Sequence, residues 1–292
     1  MGESRSEASN LAPVSTSNRT ATEVYEPFQR GLPPLGAYLR SLWARRHFIF
    51  EYARADLNQR QYGTVLGQLW LVLTPLALSG VYYLLLIIIG AKGGAERYGH
   101  LTGTLFLFYL ITNSITSGAR SLTSGSKLIL NAAFPRLVLP ITEGLIALMR
   151  FLPTLLVYLA IHIILELPFT IQMLWAPALI LLTFFFATSG AILASIVNVY
   201  LRDAQNLLPY FTRTVLYLSP VLYTSSDLDD RLRFLEVVNP IFPILDTWSA
   251  VMIRGEAPQM ETLLLALGWS LGFFALGTYL FLSREREFAV RI

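Results

Sequence analysis

The chain has 292 residues, of which 54% are hydrophobic and 14% charged, with a mean hydropathy of +0.54. That balance excludes an ordinary soluble domain and reads as an integral membrane protein. The formal net charge of +3 is too small and too scattered to argue for nucleic acid, and the absence of cysteine excludes disulfides, a Cys-ligated metal and a thiol nucleophile.

Residues 1–32 read as a disordered tail. Met1 to Arg30 is rich in Ser, Thr, Asn, Ala and Glu and lacks the apolar segment that a cleaved signal peptide needs. Residues 33–62 read as an amphipathic interface helix. Tyr38, Leu39, Leu42, Trp43, Ile49, Phe50, Ala53 and Leu57 recur at spacings of three, four and seven, while Arg40, Arg45, Glu51, Arg54 and Arg60 take the other face. A cationic amphipathic helix leading directly into an apolar span marks a surface-lying element pinned to one side of a membrane.

Residues 63–292 read as an all-α domain with six transmembrane helices. The first span is Leu66 to Ile89, inside an uncharged run from Gln61 to Ala91. The second runs from His100 to Ala119, and the third from Leu137 to Leu165 with Glu143 and Arg150 inside it. The fourth runs from Met173 to Val199, the fifth from Asn206 to Tyr223 with Arg213, and the sixth from Thr262 to Leu282, followed by a charged tail. Ser226 and Asp229 have the spacing of a capping box. Val237 to Ile253 is apolar but interrupted by Pro240, Pro243 and Asp246, which favours a re-entrant or interfacial hairpin over a span. Six spans put both termini on one side. That side holds 16 of the 22 Lys and Arg residues, the opposite side holds 5, and Arg150 lies between, so the termini are expected to be cytoplasmic.

An engine or an active site is hard to find. No Gly-rich phosphate loop ending in Gly-Lys-Ser/Thr occurs, and His47, His100 and His162 form no paired metal motif. Asp227, Asp229 and Asp230 read as a solvated helix start. Polar and aromatic residues do recur at helical spacing within the spans: Gln68, Ser79 and Tyr82 in the first, Thr102, Phe106, Tyr109 and Asn113 in the second, Tyr210, Arg213 and Tyr217 in the fifth. Such groups are costly against lipid, so they face protein or a hydrated cavity. Interhelical hydrogen bonding and a corridor for a polar solute both fit, and the set as a whole favours the corridor. Glu143 and Arg150, seven apart on one helical face, read first as a structural salt-bridge network.

The run Arg54-Ala55-Asp56-Leu57 through Gln59-Arg60-Gln61-Tyr62-Gly63-Thr64-Val65-Leu66-Gly67, with Trp70 and Pro75, resembles the N-terminal signature of ABC-2 type polysaccharide export permeases. Phe134-Pro135-Arg136 with Leu139-Pro140, Tyr200-Leu201-Arg202-Asp203, Leu218-Ser219-Pro220-Val221-Leu222-Tyr223, Asn239-Pro240 and Arg284-Glu285-Arg286-Glu287-Phe288 follow in the family's order. The resemblance covers nearly the whole chain from residue 35. It departs from the pattern where the usual Arg-Asp-Leu is split by Ala55 and where Asn58 replaces a basic residue.

This resemblance implies the membrane subunit of an exporter of O-antigen, teichoic acid or galactan in the bacterial plasma membrane, and not an enzyme. Two copies form the channel, the cargo is a polyprenyl-linked polysaccharide, and a separate nucleotide-binding ATPase subunit carries ATP and Mg, with no cofactor in this chain. It places the ATPase contacts on the interface helix (Arg54, Arg60) and on a coupling helix in the loop around Lys127, Leu128, Phe134, Pro135 and Arg136. It places an outer gate of short re-entrant helices at Pro220, Tyr223, Asn239, Pro240 and Pro243. The alternatives are an ABC-2 exporter of a small amphipathic compound and a membrane-embedded glycosyl or phosphoglycosyl transferase.

Overall fold

The computed structural model describes residues 34–60, 66–91, 93–125 and 135–291, and every α-helix or shorter turn of helix named below lies among them. Two short helices come first, α1 (Leu35–Ala44) and α2 (Arg46–Arg60). The long helices are α3 (Trp70–Ile88), α4 (Ala95–Ser124), α5 (Val138–Ile164) and α6 (Ala176–Tyr200). After them come α7 (Ala204–Leu218), the short α8 (Leu235–Val238) and α9 (Phe242–Ser249), and the long α10 (Met260–Arg291).

Among the described residues, four segments are long and apolar enough to cross a membrane, namely Gly67–Ile88, Val138–Ile164, Ile171–Tyr200 and Met260–Glu285. Six spans were expected, and the two remaining helices differ for separate reasons. With 30 residues α4 is long enough, but it is rich in Thr, Ser and Gly. It can be polar because α3, α5, α6, α7 and α9 all pack on it, leaving most of it buried. Helix α7 has 15 residues, about 22 Å at 1.5 Å per residue, short of a hydrocarbon core of about 30 Å. The expected fifth span ran on to Tyr223, whereas the helix stops at Leu218. Ser219 is extended (φ −106°, ψ 153°), as a residue preceding proline prefers.

The centre of the bundle is the α4–α6 contact, where helices approach through small residues. A Cβ on Gly118 would lie 2.4 Å from the Cβ of Ala191 and 2.5 Å from its Cα, so only glycine permits this spacing. Helix α10 packs on α6, and α5 packs on both α4 and α6.

The interface helix expected to run unbroken through Tyr38 to Arg60 is broken at Arg45. That residue leaves helical geometry (φ −96°, ψ 10°), and its N–H bonds to Leu42 O three residues back, a tighter turn than the α-helix allows. Leu39, Trp43 and Phe50 are exposed on this pair, while Ala53 of α2 is fully buried, in a helix that packs on α5. The expected charged tail from Ser283 is a continuation of α10 to Arg291.

Val237 to Ile253, expected as a re-entrant or interfacial hairpin, folds as two short helices joined by a turn. Helix α8 ends at Asn239, the chain turns at Pro240, and α9 starts on Pro243 near its first position, where a missing N–H costs little. Trp248 is 1% exposed and meets Phe151 and Tyr158 of α5, each with ring centroids 6.4 Å away. A π-turn over Ala250–Arg254 then ends at Gly255, which has left-handed geometry (φ 65°).

Candidate functional site

Between α3, α4 and α5 the bundle leaves a cavity of about 200 Å³. The N-terminal half of α3 contributes Trp70, Thr74 and Pro75, α4 contributes Phe106, Tyr109 and Asn113, and α5 contributes Arg150, Phe151 and Thr154. Steps of three and four on two facing helices thus meet across one space. The structure brings Phe106, Tyr109 and Asn113 together here, three of the ten residues expected to line a corridor.

The others lie elsewhere. Thr102 is fully buried one turn away, and Ser79 is buried with its hydroxyl donating to Leu76 O at 2.8 Å. Tyr82 is half-buried, and the exposed Gln68 donates to Asn58 at 3.2 Å. Tyr210, Arg213 and Tyr217 sit on an exposed face of α7, with Tyr210 71% and Tyr217 52% accessible. Arg150 was read as a salt-bridge partner of Glu143, and its place in the cavity wall was missed. The sequence signal was the run Ala147, Arg150, Phe151, Thr154, a polar and aromatic face matching that of the second span.

A second cavity of about 620 Å³ is almost wholly apolar. Leu193 and Val197 of α6, Leu208 and Val215 of α7, and Phe273 of α10 help to line it, so α7 stands partly off the bundle.

At the end of the bundle that carries α1 and the last turns of α10, one carboxylate gathers three segments. Glu285 of α10 accepts from the Tyr38 hydroxyl at 3.0 Å and from the Arg136 N–H at 2.6 Å, and the Arg136 guanidinium donates to the Glu285 carbonyl. The Leu137 N–H donates back to the Tyr38 oxygen at 3.4 Å. Burial and the neighbouring Glu285 carboxylate push the Tyr38 phenol well above its ordinary range, so it remains a protonated donor. Pro135 and Arg136 are therefore held against the base of α10, and Arg54 is exposed on α2. Lys127, Leu128 and Phe134, with the expected coupling helix, lie outside the described residues, as does the Arg60 side chain.

At the opposite end, residues 219–227 form a strap tied from several sides. His100 of α4 is bonded to the Tyr223 carbonyl at 3.1 Å and to the Ser249 hydroxyl at 2.6 Å. Arg97 pairs with Asp227 at 2.5 Å and donates to Leu222 O at 3.2 Å. The Asn239 amide donates to Leu218 O at 2.9 Å and Ser219 Oγ at 3.0 Å, joining the turn between α8 and α9 to the end of α7. The Tyr223 hydroxyl also reaches Leu218 O, at 2.8 Å. Pro220, within the strap, is buried.

The capping interaction falls two residues earlier than expected: Asp227 accepts from the Thr224 N–H at 2.9 Å, while Asp229 caps the next turn by accepting from the Arg231 N–H. Burial raises the Asp227 pKa, but the Thr224 donors and the Arg97 guanidinium outweigh it and hold the carboxyl below its usual range. Two further cations at this end are paired, Arg233 with Asp230 at 3.0 Å, and Arg254 with Glu256 at 2.9 Å and Asp246 at 3.5 Å.

A family model described as ABC-2 type transporter matches residues 52–253. The O-antigen export system permease protein RfbA of Myxococcus xanthus is 23% identical over 256 residues, covering 87% of this chain and 98% of the relative. A protein of the same name from Klebsiella pneumoniae is 23% identical over 201 residues, covering 68% of this chain and 78% of the relative. With apolar helices of spanning length and a family match that runs from within α2 to the π-turn after α9, the chain belongs to the ABC-2 type transporter family as a multi-pass membrane permease, not an enzyme.

Proposed function

We propose that this permease exports a lipid-linked polysaccharide of the O-antigen, teichoic acid or galactan type across the bacterial plasma membrane. The similarity to the O-antigen export permease of Myxococcus xanthus over nearly its full length carries this reading. The polar and aromatic cavity within the bundle supports it, because flat aromatic faces and amide or hydroxyl groups suit a passing sugar chain. In this reading α3, α4, α5, α6 and α10 cross the membrane, α7 crosses together with the strap that continues it, and the termini are cytoplasmic. A second copy covers the exposed face of α7, since Arg213 and two tyrosines facing lipid would be costly. A separate ATPase subunit, holding ATP and Mg, docks on α1, α2 and the loop before Pro135. Its closure is transmitted through Arg136 and Tyr38 to α10, and the strap at residues 219–227 with the re-entrant turn is the outer gate.

The test is deletion of the gene in its native host, followed by return of the wild-type chain. Loss of one surface glycan, with its lipid-linked precursor accumulating inside, is expected. Unchanged surface glycan would sink the proposal. The apolar cavity favours a second reading, export of a small amphipathic compound. In that case small amphipaths, and not a polyprenyl-linked glycan, would stimulate the partner's ATPase.

A further inference from the structure

The cavity between α3, α4 and α5 combines a cation with neutral donors inside a membrane protein. Arg150 lies twelve residues into α5, roughly 18 Å along the helix at 1.5 Å per residue. An arginine at such depth carries a desolvation cost, and pairing with neighbouring side chains relieves it. Pairing does not explain the open space of about 200 Å³ beside it, several times the roughly 30 Å³ that one water occupies. Nor does it explain why Asn113, Thr74 and Thr154 line the same space with Phe106 and Tyr109.

The donors share a chemistry. A guanidinium offers paired N–H groups in a planar fork that matches two oxygens of a phosphate, while the amide and hydroxyls can fill the remaining acceptor positions. The aromatic faces suit an apolar stem or a sugar ring attached to that phosphate. Access follows from α3, in which only Ser79 and Leu86 are buried. One wall of the cavity is thus a helix that otherwise faces lipid, and its contributing residues lie in the half of α3 nearer the termini.

We infer that this cavity binds the anionic phosphate headgroup of a membrane lipid entering from the leaflet on the side of the termini. The inference deepens the export reading, because the carrier of a lipid-linked polymer is itself a phosphate-bearing lipid. An anionic phospholipid offers the same chemistry.

The test places the purified permease in phosphatidylcholine nanodiscs doped with either undecaprenyl phosphate or phosphatidylglycerol, and counts the lipid retained on release by native mass spectrometry. The wild-type chain is expected to retain a doped lipid. Arg150→Gln, which removes the fork, and Ala147→Leu, which fills the cavity and leaves the charge, should each cut retention about tenfold or more. Arg233→Gln, at the far end, should not. If Arg150→Gln yields no monodisperse protein, Ala147→Leu decides alone. Preference for undecaprenyl phosphate identifies the carrier as the ligand, and equal retention identifies an anionic headgroup of any kind; both support the site. Failure of the wild-type chain to retain either lipid overturns it, as does wild-type retention by the variants. That failure leaves the export reading standing, since surface glycan in the deletion strain judges it separately.

Discussion

The Tyr38 hydroxyl donates to the Glu285 carboxylate across 247 residues of sequence, and the same carboxylate receives the Arg136 N–H. The interface helix, the exit of the loop before Pro135 and the end of α10 therefore move together. Glu285→Ala strands two donors, at about 1–3 kcal/mol for each that stays buried. Transport is expected to fall several-fold while the partner's ATPase keeps turning, with Glu285→Gln intermediate because it retains an acceptor oxygen. If ATPase and transport fall in parallel with the melting temperature, the contact is only an anchor.

The Arg97–Asp227 pair should respond to acid. The folded-state pKa of Asp227 is lowered, so the stabilisation it gives the strap is complete above the unfolded value of about 3.9 and disappears as pH falls below that through the folded value. The Arg254–Asp246 pair lies at the same end of the bundle, so the measurement must compare variants. A fluorophore on Ser226 is expected to report loosening of the strap below pH 4 in the wild-type chain. In Asp227→Asn the strap should already be loose at pH 7; an unchanged profile would discard the latch.

Dimer formation through α7 can be tested cleanly because the chain has no cysteine. Tyr210→Cys and Tyr217→Cys, made singly at exposed positions, are expected to form disulfide-linked dimers in membranes under mild oxidant. Leu156→Cys on the exposed face of α5 serves as the control. Equal cross-linking at all three sites would mean random collision.

Gly118→Val drives a side chain into Ala191 at a place where backbone, not a flexible tip, blocks it. Overpacking of this kind costs about 1–3 kcal/mol and forces α4 from α6. A lower melting temperature in detergent, with loss of monodisperse protein, is the expected outcome. Gly272→Val, which meets open space, should leave both unchanged.

Gly67 sits at the entry to α3 with φ 49°, a conformation costing other residues about 1 kcal/mol. Gly67→Ala has room for its methyl but not for its backbone, so the effect should appear in the coupling of ATP use to transport more than in yield. Equal loss of both would make the join a passive linker.

Hydropathy made α3, α5, α6 and α10 legible, because lipid-facing helices must be apolar over about 20 residues. It also located α4, yet α4's place at the centre could not be read, since burial by neighbours and exposure to water both permit Thr and Ser. The break at Arg45 was not foreseen and the cap at Thr224 was placed two residues late, because side-chain type alone leaves turn geometry open by a residue or two. Phe106, Tyr109 and Asn113 were found through their spacing on one helix. Arg150 was not, because its role depends on which face of α5 meets α4. Glu285 was visible only as part of a motif, and its link to Tyr38 required the fold.

The paired cations of the strap end bear on direction. Arg97, Arg233 and Arg254 each have a carboxylate beside them, so their fields cancel within the roughly 8 Å over which charge is felt at physiological ionic strength. The end holding α1, α2 and the last turns of α10 keeps Arg40, Arg54, Arg120 and Arg202 exposed. Under the proposed export reading, a negatively charged polymer meets exposed guanidinium groups where it enters and guanidinium groups already neutralised by carboxylates where it leaves, so charge alone makes recapture at the exit weaker than capture at the entrance.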